Sequence, residues 1–122
     1  MMFPKVKGKK KRRMRHPASI LHQNDGTCYL CVRLNQDFRM HRYLETHHVF
    51  DGPNRMISEE HGFKVKLCPE HHRTGPEAVH RKIENMRLIQ RDAQRAYEKT
   101  HTRQQFTSLL GGRNYLMDEE GE

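Results

Sequence analysis

The sequence predicts a small α+β domain that is cross-linked by a metal ion and followed by a long amphipathic helix and a short C-terminal helix. Three observations favour this fold class. The chain has 122 residues, of which 34% are hydrophobic and none is Trp, so its core is small and needs a cross-link. Two pairs of Cys and His residues stand at metal-ligand spacing. Two strand patterns precede a long helical pattern.

Composition excludes several classes of protein. No apolar run approaches the ~20 residues of a membrane span, so we expect no transmembrane protein. The basic N-terminus is not followed by the apolar stretch of a secretory signal. The number of cysteines is three, and an odd number in a chain without an export signal argues against a disulfide framework.

The formal charge of +8 is concentrated at the N-terminal end. Residues 1–16 contain eight basic residues and no acidic one, whereas the two signs balance in the remainder. Such a block cannot pack against itself, so we predict a disordered basic tail. Nucleic-acid phosphate is the expected partner, and a solubilising or targeting role is the alternative.

We predict a folded domain over residues 17–112 and an acidic C-terminal tail over 113–122.

Four residues predict a structural zinc site. Cys28 and Cys31 have two residues between them, as do Cys68 and His71, and 36 residues separate the two pairs. A tight turn can direct both ligands of such a pair at one ion, and two pairs complete the tetrahedron that zinc prefers. The alternative is buried thiols without a metal and an ordinary surface imidazole.

A second group of histidines is predicted not to belong to that zinc. Strand patterns over residues 43–50 and 63–67 are separated by a loop signal at 51–54. Adjacent side chains of a strand project to opposite faces. We therefore expect His47 and His48, which stand next to each other, to have two different roles.

Two further histidines can join this group. His72 directly follows His71, and successive side chains diverge by about 100° in a helical turn, so His72 faces away from the zinc. A bend at Gly75-Pro76 lets the chain fold back, which makes His80 a candidate third ligand. The remaining histidines are predicted to be surface or incidental residues: His16, His22, His41, His61 and His101.

These motifs resemble those of the HNH endonucleases, also called ββα-metal or His-Me finger nucleases. The segment 45–49 resembles the first strand of that family, and 67–72 resembles its junction between second strand and helix. The pair at 28–31 resembles its zinc knuckle. The resemblance covers residues 26–82. Within the HNH family, the chain most resembles the small members encoded by phages. It implies a treble-clef-like ββα-metal core and a cytoplasmic protein of a phage or its bacterial host.

The resemblance also implies roles for the histidines. His48 corresponds to the general base of the family. His47 and His72, with His80 in the place of the final histidine, correspond to ligands of a catalytic divalent ion. We expect Mg²⁺, Mn²⁺ or another first-row ion there, since imidazole accepts several of them.

Two supporting residues follow from the same resemblance. Glu45 corresponds to an acidic residue often found two positions before the ligand His47, and we expect an orienting role for it. The family has a middle Asn shortly before its second zinc pair, where this chain reads Phe-Lys-Val over residues 63–65. Asn54 is the nearest Asn, and its position departs from the pattern of the family.

We expect a metal-dependent DNA endonuclease or nickase. Histidine has an ordinary pKa of about 6.5, so a neutral imidazole can accept the proton of an attacking water. A divalent cation stabilises the leaving oxygen. DNA would bind through the basic tail and the active-site face. The alternative is a non-catalytic zinc-stabilised module that binds nucleic acid, and the sequence does not predict the oligomeric state.

The C-terminal half predicts two helices. Apolar residues recur at steps of three and four over about twenty residues. The stripe consists of Val79, Ile83, Met86, Ile89 or Gln90, Ala93, and Ala96 or Tyr97. Arg87, Arg91 and Arg95 form a row on the same helix that either contacts phosphate or faces solvent. Thr102 and Gln105 resemble a capping box, which predicts a final helix through Leu110.

Overall fold

The computed structural model describes residues 16–117 and confirms the predicted α+β class. Its elements, in chain order, are α1 (Tyr29–Asn35), β1 (Glu45–His48), a 3₁₀ turn (Gly52–Asn54), α2 (Arg55–His61), β2 (Lys64–Leu67), a π-helical turn (Glu70–Thr74), α3 (Ile83–Tyr97) and α4 (Arg103–Leu109). None of the helices within the described range has the length and apolar character needed to cross a bilayer. The predicted basic tail, apart from its last residue, and the acidic residues 118–122 lie outside this range.

The two strands form an antiparallel sheet in which Glu45 pairs with Leu67 and His48 pairs with Lys64. β1 is shorter than the predicted strand over residues 43–50, although Val49 N–H still donates to Phe63 O at 2.9 Å beyond its end. Because side chains alternate along a strand, neighbouring residues of β1 face opposite sides of the sheet. This alternation decides the placement of the two adjacent histidines.

The connection between the strands contains a helix that the sequence analysis missed. The predicted loop at 51–54 gives way to α2, whose Ser58 is buried against Phe50. Ser58 Oγ accepts from Phe50 N–H at 2.9 Å and donates to Phe50 O at 2.7 Å. Gly62 then ends α2 with φ +76°, a left-handed conformation that favours glycine.

α3 begins later than predicted. Val79 lies in the bend after Gly75, where its N–H donates to His71 O at 2.8 Å and its side chain is buried. It therefore precedes the helix and does not begin it. Ile83 is 55% exposed although it belongs to the predicted apolar stripe, whereas Ile89 and Ala93 are fully buried. The buried face of the helix therefore contains Ile89 and Ala93, and Ile83 lies outside it.

The last helix is capped as predicted. Thr102 Oγ1 accepts from Gln105 N–H at 3.0 Å, and Gln105 Oε1 accepts from Thr102 N–H at 2.8 Å. These bonds satisfy two backbone N–H groups at the start of α4 that would otherwise lack partners. The helix ends at Leu109, one residue before the predicted end.

Aromatic rings form the centre of the core. Phe50 lies 5.2 Å from Phe63, 5.8 Å from Phe106 and 5.1 Å from Tyr115, measured between ring centroids. Tyr115 and the buried Leu116 belong to the segment that we assigned to the C-terminal tail, and both pack against the domain. Phe50 thus connects the end of β1 to the C-terminal segment.

Replacing Gly62 by Ala should destabilise the protein more than replacing Gly111 by Ala. Both residues have positive φ, +76° and +68°, which costs a non-glycine residue about 1–2 kcal/mol. A Cβ at Gly62 would also lie 2.6 Å from Ala18 O, whereas nothing lies within 4 Å of a Cβ at Gly111. Urea unfolding of both variants measures the difference. Equal losses would contradict the close approach of residues 18–20 to Gly62.

Candidate metal sites

The four residues predicted to bind zinc meet at one point. Cys28 precedes α1 and Cys31 lies in its first turn, while Cys68 follows β2 and His71 lies in the π-helical turn. His71 Nδ1 is 3.6, 3.4 and 3.5 Å from the sulfur atoms of Cys28, Cys31 and Cys68. All four potential ligand atoms lie within 4.8 Å of one another. Two segments that are distant in sequence therefore supply one Cys₃His cluster.

The dimensions and the donor atoms of this cluster fit a structural metal such as zinc. A tetrahedral zinc ion places its sulfur and nitrogen ligands roughly 3.5 Å apart. The three cysteines are free and buried, and burial, with the neighbouring Cys28, raises the pKa of the Cys31 thiol. A bound cation would hold these sulfurs as thiolates and release protons.

A second group of potential metal ligands lies beside the first. His47 of β1, His72 of the π-helical turn and His80 of the following bend each offer one nitrogen, and these atoms lie within 4.8 Å of one another. The ring centroids are 5.4 Å apart for His47 and His72, 5.3 Å for His47 and His80, and 4.9 Å for His72 and His80. The structure thus brings together the three residues proposed from the sequence for a second ion.

His47 is the buried member of this group. Its side chain is inaccessible, with 2% of the residue exposed, and its Nε2 has no hydrogen-bond partner among the described residues. Burial, followed in order by the charges of His72, His80 and His48, lowers the pKa of His47 to about 3. His47 is therefore a neutral imidazole, the form that binds metals. A buried nitrogen without a partner costs about 1–3 kcal/mol, and a bound ion would satisfy it.

Glu45 contacts the second ligand of the group. Its Oε1 lies 2.6 Å from His72 Nδ1, which leaves Nε2 of that ring for an ion. Arg73 bonds to both carboxylate oxygens, with Nε 2.9 Å from Oε1. The bonds from Arg73 and then from His72 lower the pKa of Glu45 to about 2, so the carboxylate is ionised. Carboxylates in this position fix the orientation of a metal-binding imidazole.

His80 completes the group through the bend that begins at Gly75. The predicted helix is interrupted there, and Ala78 N–H donates to Gly75 O at 3.1 Å. Burial and the charge of His72 lower the pKa of His80, while Asp51 opposes this shift. His80 is the exposed member of the group. Solvent and other molecules would therefore reach an ion bound to these histidines from the side of His80.

The structure does not place His48 with the other three histidines. His48 faces the opposite side of β1, where its Nε2 lies 2.7 Å from Glu59 Oε1. Glu59 Oε2 also pairs with Lys64 Nζ at 2.8 Å and with His16 Nδ1 at 2.7 Å. The bonds from Lys64, His48 and His16, in that order, lower the pKa of Glu59 to about 2. A cleft of about 680 Å³ borders this group, and Thr46 and Lys66 also line it.

Glu59 was missed in the sequence analysis. It lies on α2, a helix of seven residues with no apolar stripe long enough to reveal it. Asn54, which the resemblance suggested as a catalytic residue, lies at the start of the same helix, and its backbone N–H donates to Asp51 O at 3.1 Å. The hydrogen-bond partner of the His48 ring is Glu59, and the structure does not bring Asn54 to it.

Two histidines expected to be incidental also contact these sites. His41 Nε2 lies 3.7 Å from the Cys31 sulfur, and His16 pairs with Glu59. Neither contact leaves a recognisable spacing pattern in the sequence, because the partners are 10 and 43 residues apart. His22 was likewise expected to be incidental, and its Nδ1 accepts from Lys66 N–H at 3.1 Å.

Comparison of the chain with models of protein families, with curated proteins and with solved structures finds no match in any of the three. The functional conclusion therefore depends on the geometry of the two ligand groups and on the residues around them.

Replacing Glu45 by Gln should weaken binding of Zn²⁺ or Mn²⁺ at the histidine group by about 10- to 100-fold, because the amide orients His72 less strongly. Calorimetric titration of protein that already carries one structural zinc ion measures this affinity. Glu60→Gln is the matched control, since Glu60 is exposed and has no contact with His72. An unchanged affinity in Glu45→Gln would show that the carboxylate does not support a metal ligand.

Replacing Glu59 by Gln should alter how stability depends on pH. The pKa of Glu59 is lowered from 4.5 to about 2 in the folded protein, so its ionised form stabilises the fold above pH 4.5 and the contribution disappears as the pH falls toward 2. The free energy of unfolding of Glu59→Gln should therefore differ most from that of the wild type near neutral pH. Urea unfolding across this range tests the trend, and a difference that does not shrink in acid would refute it.

Proposed function

We propose that the protein is a metal-dependent DNA endonuclease or nickase that hydrolyses phosphodiester bonds. The observation that carries this proposal is the convergence of His47, His72 and His80 beside the Cys₃His cluster. A site with four protein ligands is typical of structural zinc, whereas three protein ligands with an open position are typical of catalysis. A divalent ion at the histidine group would stabilise the negative charge that develops on the leaving oxygen.

His48 is the proposed general base. Glu59 holds the ring through Nε2, which leaves Nδ1 as the nitrogen that can accept a proton from water. A carboxylate that orients an imidazole and stabilises its protonated form is the arrangement found in catalytic triads. Glu59 is ionised at neutral pH and can act in this way.

The opposite placement of His47 and His48 supports a division of labour. In an in-line displacement at phosphorus, the attacking water and the leaving oxygen lie on opposite sides of the phosphate. β2 pairs with one edge of β1, and no strand among the described residues pairs with the other edge. A phosphodiester at that edge would have His48 toward the water and the histidine group toward the leaving oxygen.

The nature of the substrate rests on charge and on the family resemblance. The chain has a formal charge of +8, and such a charge favours a polyanionic partner. The treble-clef-like ββα-metal arrangement, the HNH assignment and a phage or bacterial cytoplasmic origin belong to this proposal. The catalytic ion would be Mg²⁺, Mn²⁺ or another first-row ion.

One observation favours the second candidate, a non-catalytic zinc-stabilised module that binds nucleic acid. His48 is bonded to Glu59 on the far side of the strand from the histidine group, and among residues 16–117 no hydrogen bond joins it to Asn54. In this case the histidine group would hold a second structural ion. The basic residues alone would then carry the function.

Cleavage of supercoiled plasmid DNA separates the two candidates. The zinc-loaded protein should cut in the presence of Mg²⁺ or Mn²⁺, and His47→Ala and His72→Ala should lose cutting at ion concentrations that support the wild type. His48→Ala should cut about 10²- to 10⁴-fold more slowly, the usual contribution of a general base. His101→Ala, which alters an exposed histidine that stacks on Tyr97, is the control.

Each outcome assigns a role. Absence of cutting with every divalent ion, in protein that retains zinc and binds duplex, would favour the binding module. Equal rates for His48→Ala and the wild type would remove the proposed base while leaving the metal site intact. Cutting that survives loss of His47 and His72 would refute the catalytic site as a whole.

A further inference from the structure

We propose that a pocket between α3 and the segment after α4 binds the phosphate backbone of nucleic acid. The pocket has a volume of about 410 Å³ and is lined by Arg87 and Arg91 of α3 and by Arg113 and Tyr115. The inference deepens the proposed function, because it identifies where the substrate backbone is held outside the histidine group. It uses none of the residues of the two metal sites.

The charge of the pocket points to an anionic ligand. Three guanidinium groups line it, and no Asp or Glu among residues 16–117 does so. Within that range, no carboxylate forms an ion pair with Arg87 or Arg113. Guanidinium groups close together repel one another unless an anion lies between them. Their planar donors match the oxygens of a phosphate group, which they can bind in a bidentate manner.

Tyr115 holds two of these groups in place before any ligand arrives. The Cζ atom of Arg113 lies 4.8 Å from the centroid of the Tyr115 ring, and that of Arg87 lies 5.9 Å from it. Arginine stacked on an aromatic ring loses less side-chain freedom when it binds an anion. Tyr115 is itself fixed by ring contacts with Phe50 and Phe106.

The backbone of the segment is anchored by a buried amide. Gln94 of α3 is fully buried, and its Oε1 accepts from Tyr115 N–H at 2.7 Å. Its Nε2 donates to Asn114 Oδ1 at 2.9 Å. These bonds fix the segment that carries Arg113 to the helix that carries Arg87. The pocket is therefore part of the folded domain.

The pocket lies close to the proposed catalytic strand. Tyr115 packs against Phe50, and three peptide units separate Phe50 from His47, a path of at most about 11 Å between Cα atoms. The pocket and the histidine group therefore adjoin the same short segment, residues 47–50.

The three arginines that the sequence places in a row on α3, Arg87, Arg91 and Arg95, do not all lie at the pocket. Arg95 pairs with Asp92, with 3.4 Å between Nη1 and Oδ1, and Arg33 pairs with the same carboxylate at 2.9 Å. Arg87 and Arg91 line the pocket together with Arg113, whereas Arg95 does not line it. Only part of the row is therefore proposed to contact phosphate.

The test compares two double variants that each remove two positive charges. Arg87→Gln with Arg113→Gln removes the pocket cations, and Arg33→Gln with Arg39→Gln removes cations that are paired with Asp92 and Asp37. Zinc-loaded full-length protein binds a fluorescent DNA duplex without Mg²⁺ or Mn²⁺, and anisotropy is measured over a range of salt concentrations. Metal content and urea unfolding verify that each variant is folded.

The pocket variant should bind at least 10-fold more weakly at low salt. Its slope of log affinity against log salt should be shallower by about 1.8, which corresponds to two lost phosphate contacts. The control variant should change the slope by less than half of that. Arg87→Lys with Arg113→Lys should recover part of the slope, because the charge is retained.

Three results would overturn the proposal. An unchanged slope in the pocket variant would show that Arg87 and Arg113 do not contact phosphate. Equal changes in both variants would show a general effect of charge. Binding of inorganic phosphate that depends on the pocket, with unaltered DNA affinity, would assign the site to a free anion. Because no divalent ion is added, failure of plasmid cleavage leaves this test unaffected.

Discussion

Four ligand atoms from two distant segments meet within 4.8 Å of one another, and the positions of the other functional groups depend on that meeting. The chain is small and has no Trp, and within residues 16–117 its sheet consists of two strands of four residues each. A structural zinc ion contributes about 10–16 kcal/mol in small zinc domains near neutral pH. Net stabilities of whole domains are about 5–15 kcal/mol, so one metal cross-link can decide whether such a chain folds.

The same cluster positions the histidine group. His71 and His72 are adjacent, so a π-helical turn that directs one ring at the sulfur atoms directs the next at His47 and His80. Glu45, whose carboxylate is also bonded to Arg73, then fixes the His72 ring through Nδ1. The proposed catalytic ion and the proposed structural ion would therefore share one turn of backbone. Loss of the Cys₃His cluster should therefore disturb the histidine group. Loss of the histidine group is not expected to disturb the Cys₃His cluster.

Local spacing in the sequence was sufficient to predict which residues come together as candidate ligands, and it was insufficient to predict the residues that contact them. Two Cys/His pairs and two His pairs are short-range patterns, and the Gly75-Pro76 bend accounts for His80. Glu59 was missed because α2 has seven residues and no clear apolar stripe. The packing of Tyr115 on Phe50 also has no local signal, since it joins residues far apart in the chain. Strand alternation predicted separate roles for His47 and His48, but their contacts became known only from the structure.

The most direct test of this account is the fold of the protein after its metal is removed under reducing conditions. We expect the zinc-free chain to lose its fixed tertiary structure, with three reactive thiols, and to regain the fold when one zinc ion per chain is added. Near-ultraviolet circular dichroism and thiol titration report the two properties together. A metal-free chain that keeps the same tertiary signal and the same resistance to urea would contradict the central role of the Cys₃His cluster.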